Sequence, residues 1–219
     1  MTDKARIRSI IHEVTEAARP PLVPELQLAL VTAASPWWSM NPSDLESLGI
    51  PEPFWAFAWA GGQSLARFIL DHPHYVAGKP VIDFGAGGGI VSLAALKAGA
   101  SHVTATEIDS WAIVACELNL ESYREQVDLS CEDWIGRQLP RGSILLCGDM
   151  NYERELCDRL LVWFGEQEDC TILIGDPGRG FIAKDRFEEL ATYLAPTDSD
   201  SDGRYKVRAS VLLWKNAQR

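Results

Sequence analysis

Val81-Ile82-Asp83-Phe84-Gly85-Ala86-Gly87-Gly88-Gly89-Ile90 is the stretch whose reading decides the fold. A short apolar strand runs into a glycine turn, and Ile90 opens an apolar stretch that reads as a helix to about Ala98. Outward from it the same rhythm repeats. HVTATE (102–107) reads as a strand and Ser110 to Tyr123 as a helix. VDLS (127–130) and ILLCG (144–148) are strands, Glu153 to Phe164 a helix, TILIGD (171–176) a strand, and Lys184 to Leu194 a helix. A polar turn at 197–203 leads into a last strand, YKVRASVLLWK, which predicts an antiparallel pair at the sheet edge. Such alternation predicts an α/β, doubly wound sheet, mostly parallel, with helices on both faces.

Upstream, Ile7, Ile10, Ile11 and Val14 recur at helical spacing and predict an amphipathic helix ended by Pro20-Pro21. Residues 22–60 read as irregular and rich in Pro and Trp. Gly61-Gly62 leads into a helix carrying Leu65, Phe68, Ile69 and Leu70 that stops near His72-Pro73. No linker divides the chain, so we expect a single domain: residues 1–60 as an N-terminal helical extension packing on a core formed by 61–219.

Composition narrows the function. The 219 residues are 47% hydrophobic and 23% charged, which suits a globular protein and excludes a disordered or collagen-like one. No apolar run reaches the roughly 20 residues of a membrane span. The formal net charge of −11 disfavours a nucleic-acid substrate, since no Lys/Arg cluster offsets it. Five cysteines with no CxxC pair indicate neither a metal site nor a disulfide framework. They read as small core residues in a reducing compartment. The first 20 residues lack a signal-like apolar region, and the expected location is cytoplasmic.

The glycine turn lies at the carboxyl edge of the sheet, where open α/β folds bind ligands. It fails the dinucleotide fingerprint GxGxxG/A, because the third position is Ile90 counted from Gly85 and Ser92 counted from Gly87. It reads instead as Asp-x-Gly-x-Gly-x-Gly, from Asp83 through Gly85 and Gly87 to Gly89. A carboxylate there repels a pyrophosphate and suits an ammonium, so the expected ligand is S-adenosylmethionine, leaving as S-adenosylhomocysteine. Glu107, at the end of the second strand, is placed to accept the ribose hydroxyls. Asp133 and Trp134, after the third, are placed at the adenine, the acid accepting from its amino group and the ring stacking. Taken singly, Glu107 and Asp133 are more often solvated surface acids. It is their conjunction at successive strand ends that carries the reading.

These residues resemble the seven-β-strand S-adenosylmethionine-dependent methyltransferases. The resemblance implies sheet order 3-2-1-4-5-7-6 with strand 7 antiparallel. Asp149 and Tyr152, in GDMNYE (148–153), resemble the Asp-x-x-Tyr signature of the protein-lysine methyltransferases in that class and are the expected catalytic residues. PFWAFAWAGGQ (53–63) and IGDPGRG (174–180) are similar to the electron-transfer flavoprotein β-subunit lysine methyltransferases. Animal members carry a mitochondrial leader; a bacterial, cytoplasmic member fits this chain. The implied activity is lysine Nζ methylation on that β subunit, with a ribosomal protein as a second substrate, and no membrane or nucleic-acid partner. Trp59 is assigned to the cofactor, although Trp55, Phe57 and Trp59 alternate and equally read as a strand face on the core. Asp176 reads as a turn residue and Asp149 competes with a helix N-cap. The alternatives are a small-molecule N-methyltransferase acting on a nicotinamide-like ring, and a non-catalytic cofactor-binding protein.

Overall fold

A computed structural model describes residues 3–196 and 206–215. The turn expected at 197–203 lies outside them. The chain opens with α1 (Asp3–Val14), a ribbon of β1 (Glu16–Ala18) and β2 (Leu28–Leu30), and a short helix α2 (Pro42–Ser47). Then come α3 (Ala60–Asp71), β3 (Pro80–Phe84), α4 (Ile90–Lys97), β4 (His102–Thr106), α5 (Ser110–Asn119) and β5 (Val127–Ser130). The remainder is β6 (Ile144–Gly148), α6 (Arg154–Gly165), β7 (Thr171–Asp176), β8 (Phe187–Pro196) and β9 (Lys206–Trp214).

The large sheet runs β5-β4-β3-β6-β7-β9-β8. Counting its strands from β3, this is the expected 3-2-1-4-5-7-6, and β9 is antiparallel to both its neighbours. Alternation along the strands splits the core in two. Val81, Leu146, Leu173 and Val211 face α3, α4 and part of α5. Ile82, Leu145, Cys147, Ile174 and Leu212 face α6, with its buried Trp163 and Phe164.

Three readings fail. The helix at Lys184–Leu194 is a single 3-10 turn followed by strand β8. Phe187, Leu190, Ala191 and Leu194 do recur at helical spacing, but β8 pairs with β9 along its length through an irregularity between Glu189 and Ala191. Pairing in the sheet, anchored by buried Phe187 and Ala195, overrides the periodicity. Trp55, Phe57 and Trp59 do not form a strand either; they lie on a 3-10 turn (Phe54–Ala56) and the extended residues after it. Near the N-terminus the helix stops at Val14, ahead of Pro20-Pro21, because residues 16–18 pair with β2.

Residues 3–59 wrap over α5. Ile7, Ile11 and Val14 of α1 pack with Ala112 and Ala115, and Lys4 and Arg8 both reach Glu117. This wrapping carries Phe54, Trp55 and Trp59 to the carboxyl ends of the sheet strands. The start of α3 is fixed there by backbone contact. A Cβ on Gly61 would meet the Gly175 carbonyl oxygen at 2.5 Å, so both positions must be glycine for the helix to sit against β7.

Candidate active site

A cleft of about 450 Å³ opens at the carboxyl ends of β3, β4 and β6. Its floor begins with the glycine turn after β3. Gly85 has φ +67°, and a Cβ there would lie 2.1 Å from the Met150 sulfur, so the backbone comes to the cleft bare. The Gly87 amide donates to Glu107 Oε1 at 3.1 Å.

Glu107 enters the wall from the end of β4. Its Oε2 accepts from the Ile108 amide at 2.8 Å and more weakly from that of Asp109. Burial pushes its carboxyl up despite these bonds. A carboxylate has about four acceptor positions, so it retains capacity for hydroxyl donors. We expect Glu107→Ala to weaken cofactor affinity by about 10- to 100-fold, the worth of two hydrogen bonds to a charged group, with near-normal turnover at saturating cofactor. Calorimetric titration together with a rate at high cofactor checks this.

Asp133 also lines the cleft, with its oxygens held by the Ile135 amide at 2.9 Å and by Arg159 at 2.6 Å. Burial opposes ionisation, but these two donors hold its carboxyl below the usual range. Trp134 departs from expectation. Its indole N–H donates to Ser130, the Arg137 guanidinium lies over its ring, and it packs toward the α6 side of the core instead of the cleft. Ile108 and Ile135 supply apolar wall in its stead.

Asp83 departs as well. It is 1% exposed and absent from the cleft wall; its Oδ2 takes the Ser92 amide at 2.8 Å and the Ser92 hydroxyl at 2.6 Å. It therefore ties β3 to α4. Gly89, at φ +84°, is the residue before α4 and likewise serves the turn and lies outside the wall. Burial pushes the Asp83 carboxyl up to about 7, from an ordinary value of 3.8. Between these values the folded protein keeps a proton that the unfolded chain has released, so this group costs stability as pH rises through that window. Asp83→Asn is thus expected to lose less stability than the parent between about pH 5 and about pH 8. Equal shifts in urea midpoint would contradict it.

Asp149 follows β6 at the head of the cleft. Its side chain is 4% exposed, in a backbone at φ 67° that few non-glycine residues adopt. Oδ2 accepts from the Gly61 amide and Oδ1 from Arg179, each at 2.9 Å. The N-cap of α6 is Glu153, so Asp149 does not serve there. Tyr152 stands half-exposed in the wall nearby, its phenol pushed up by burial. Trp59 lines the same end, with the Arg179 guanidinium 6.0 Å from its ring and its indole donating to the Phe54 carbonyl. Asp176 is buried and accepts from the Gly178 amide, a turn contact as expected. Sequence reading missed Arg179 and Arg159 and left Trp55 open between core and ligand contact. Arg179 stands in the quoted IGDPGRG segment, but nothing in the sequence pairs it with a carboxylate 30 positions away.

Charge and shape together test what the cleft can hold. Glu107, Asp109, Glu132, Asp133 and Asp149 line it against Arg159 and Arg179, both of which are ion-paired. The surplus is negative, which repels a pyrophosphate and favours a cation. Trp55, also in the wall, has a buried indole N–H with no partner among the described residues, a donor left for a bound group. Solved structures share this fold. Magnesium protoporphyrin IX methyltransferase from Synechocystis PCC 6803 with bound SAM is 18% identical, with TM-score 0.51 over 71% of this chain and 80% of that one. Ribosomal protein L11 methylase from Lactobacillus delbrueckii subsp. bulgaricus is 18% identical, also at TM-score 0.51, over 74% and 81%. These likenesses establish the fold, and sequence likeness supplies the class: named relatives and a matching family model make the protein an S-adenosylmethionine-dependent methyltransferase.

Residues 68–134 match the family described as Ribosomal protein L11 methyltransferase (PrmA). Longer likeness leads elsewhere. The electron transfer flavoprotein beta subunit lysine methyltransferase of Xenopus laevis is 38% identical over 94% of this chain and 85% of its own length. That of Danio rerio is 38% identical over 95% and 83%, and that of Homo sapiens 35% over 79% and 67%. The chain belongs to the electron transfer flavoprotein β-subunit lysine methyltransferase family.

Proposed function

We propose that the protein methylates lysine Nζ on the β subunit of electron transfer flavoprotein, with a ribosomal protein as a second candidate substrate. The observation that carries the reading is Asp149, a buried carboxylate held at both oxygens at the head of a cleft suited to a cationic adenosyl ligand. Nearly full-length similarity to the Xenopus and Danio proteins supports the flavoprotein, and the shorter PrmA match supports the alternative. Phe54 and Tyr152, 61% and 52% exposed, leave the cleft mouth open to the surface. That favours a macromolecular substrate over a small ring compound.

When bound, S-adenosylmethionine supplies an electrophilic methyl group. In this reading the chain contributes binding and placement. Glu107 would take the ribose hydroxyls and Asp133 the adenine amino group, with the backbone at Gly85 and Gly87 as floor. Trp59 would wall the part of the cleft beside Arg179. Asp149 accepts an N–H of the incoming amine and aims its lone pair, while Tyr152 shields it from water. Correct placement of two reactants recovers several kcal/mol of barrier, on the order of 7 or more in favourable cases. Apart from that of Trp59, we assign these roles to the core from residue 61 onward, and substrate approach to residues 1–60.

Among the described residues no helix is long and apolar enough to cross a membrane, and all five cysteines are free thiols. The thiols support a reducing, cytoplasmic setting, and the acidic surface argues against nucleic acid. Intact-mass and peptide spectrometry of the flavoprotein β subunit after incubation with enzyme and isotopically labelled cofactor tests the proposal. Label on lysine is the expected result. Label confined to small solutes would favour the small-molecule reading, and binding without transfer the non-catalytic one.

A further inference from the structure

Asp149 poses an electrostatic problem. A bare carboxylate beside a lysine stabilises the ammonium and raises its pKa, yet an ammonium has no lone pair to attack with. Arg179 stands where it answers this. Its guanidinium meets Oδ1 at 2.9 Å and lies 6.0 Å from the Trp59 ring, with the arginine 30% exposed and Asp149 4%.

We infer that Arg179 is a positioning residue that neutralises Asp149, so that the site receives the substrate lysine as the free amine. This rests on the methyl-transfer reading above. The guanidinium charge offsets that of the carboxylate it contacts, so the pair carries no net charge toward the cleft. Each Asp149 oxygen still has a lone pair beyond those used by Arg179 and the Gly61 amide, enough to accept an amine N–H. The ammonium proton passes to water on entry. The Nζ lone pair then forms the N–C bond as the C–S bond breaks, its electron pair going to sulfur.

Other charged and titratable groups stand near the pair. Asp176 is buried at the end of β7, where Asp149 acts on it as a like charge and Lys184 and Arg179 as opposing ones. Glu107 stands in the same wall, and Glu107 and Glu153 both act on Tyr152. Arg154 lies over Phe181. Of these, the guanidinium of Arg179 alone contacts Asp149 directly.

The test is the pH profile of single-turnover methyl transfer to the flavoprotein β subunit, with enzyme and cofactor saturating, for the parent, Arg179→Gln and Arg179→Lys. In Arg179→Gln the acid limb moves up by about one unit, giving about tenfold slower transfer near pH 7.5 and a deficit that closes as pH rises. Arg179→Lys keeps the charge and the parent's limb. The limb of kcat/KM, which reports free enzyme and free substrate, stays in place for all three. Arg179→Gln slower by one factor at every pH, or unchanged at every pH, overturns the inference. A parent that does not methylate this subunit overturns the functional reading first, and the inference with it.

Discussion

Asp149→Ala retains cofactor affinity and loses methyl transfer by a factor of about 10³ or more, the scale of a lost orienting and electrostatic contact in a water-poor site. The affinity is expected to hold because Glu107 and Asp133, the groups proposed to bind the adenosyl moiety, follow other strands and share no hydrogen bond with Asp149. The substitution also has a structural cost. It leaves the Gly61 amide and Arg179 without their acceptor, at about 1–3 kcal/mol for the buried amide, and puts alanine at φ 67°. Asp149→Asn separates the two effects, since asparagine tolerates that backbone and keeps an acceptor for Gly61. We expect it to melt closer to the parent and still fail to transfer. Calorimetry, a melting curve and a labelled-methyl assay together decide the matter; an active Asn variant would remove the carboxylate from the mechanism.

Gly175→Ala has the largest expected effect on stability. An added Cβ would lie 2.1 Å from the Gly61 carbonyl oxygen and 2.7 Å from its carbon. Both partners are backbone, so relief requires α3 to lift from β7, and α3 packs on β6 to β9 across much of that face. Overpacking costs 1–3 kcal/mol where side chains can yield; here we expect about 3 kcal/mol or more, with the Gly61–Asp149 bond lost as well. Gly165→Ala is the control, since nothing lies within 4 Å of its Cβ position at the end of α6. It is expected to be neutral or slightly stabilising, by up to about 1 kcal/mol. Urea midpoints of the two variants, measured side by side, give the comparison.

Much of the fold was legible because strand length and turn chemistry are local. Asp83 to Ile90 predicts a strand, a turn and a helix start, and these lie where expected. Residues 187–194 have an apolar spacing that suits a helix, but pairing with β9, 14–27 residues downstream, decides the outcome. The candidate site was legible only by position along strands. Glu107, Asp133, Asp149, Tyr152 and Trp59 do share one cleft. Which way a side chain turns is not a local property. Asp83 follows the strand alternation inward to Ser92, and Trp134 turns to Ser130 and the core. The Asp149–Arg179 pair depends on β6 and β7 being adjacent, a fact of the sheet and not of either segment.

The most direct test of the central claim, that this cleft presents a methyl donor to Asp149, is a crystal structure of the protein with S-adenosylhomocysteine. The account predicts ribose hydroxyls on Glu107, the adenine amino group at Asp133, and the thioether sulfur facing the Asp149–Arg179 pair. A cofactor bound with its sulfur turned away from Asp149, or seated outside this cleft, would contradict it.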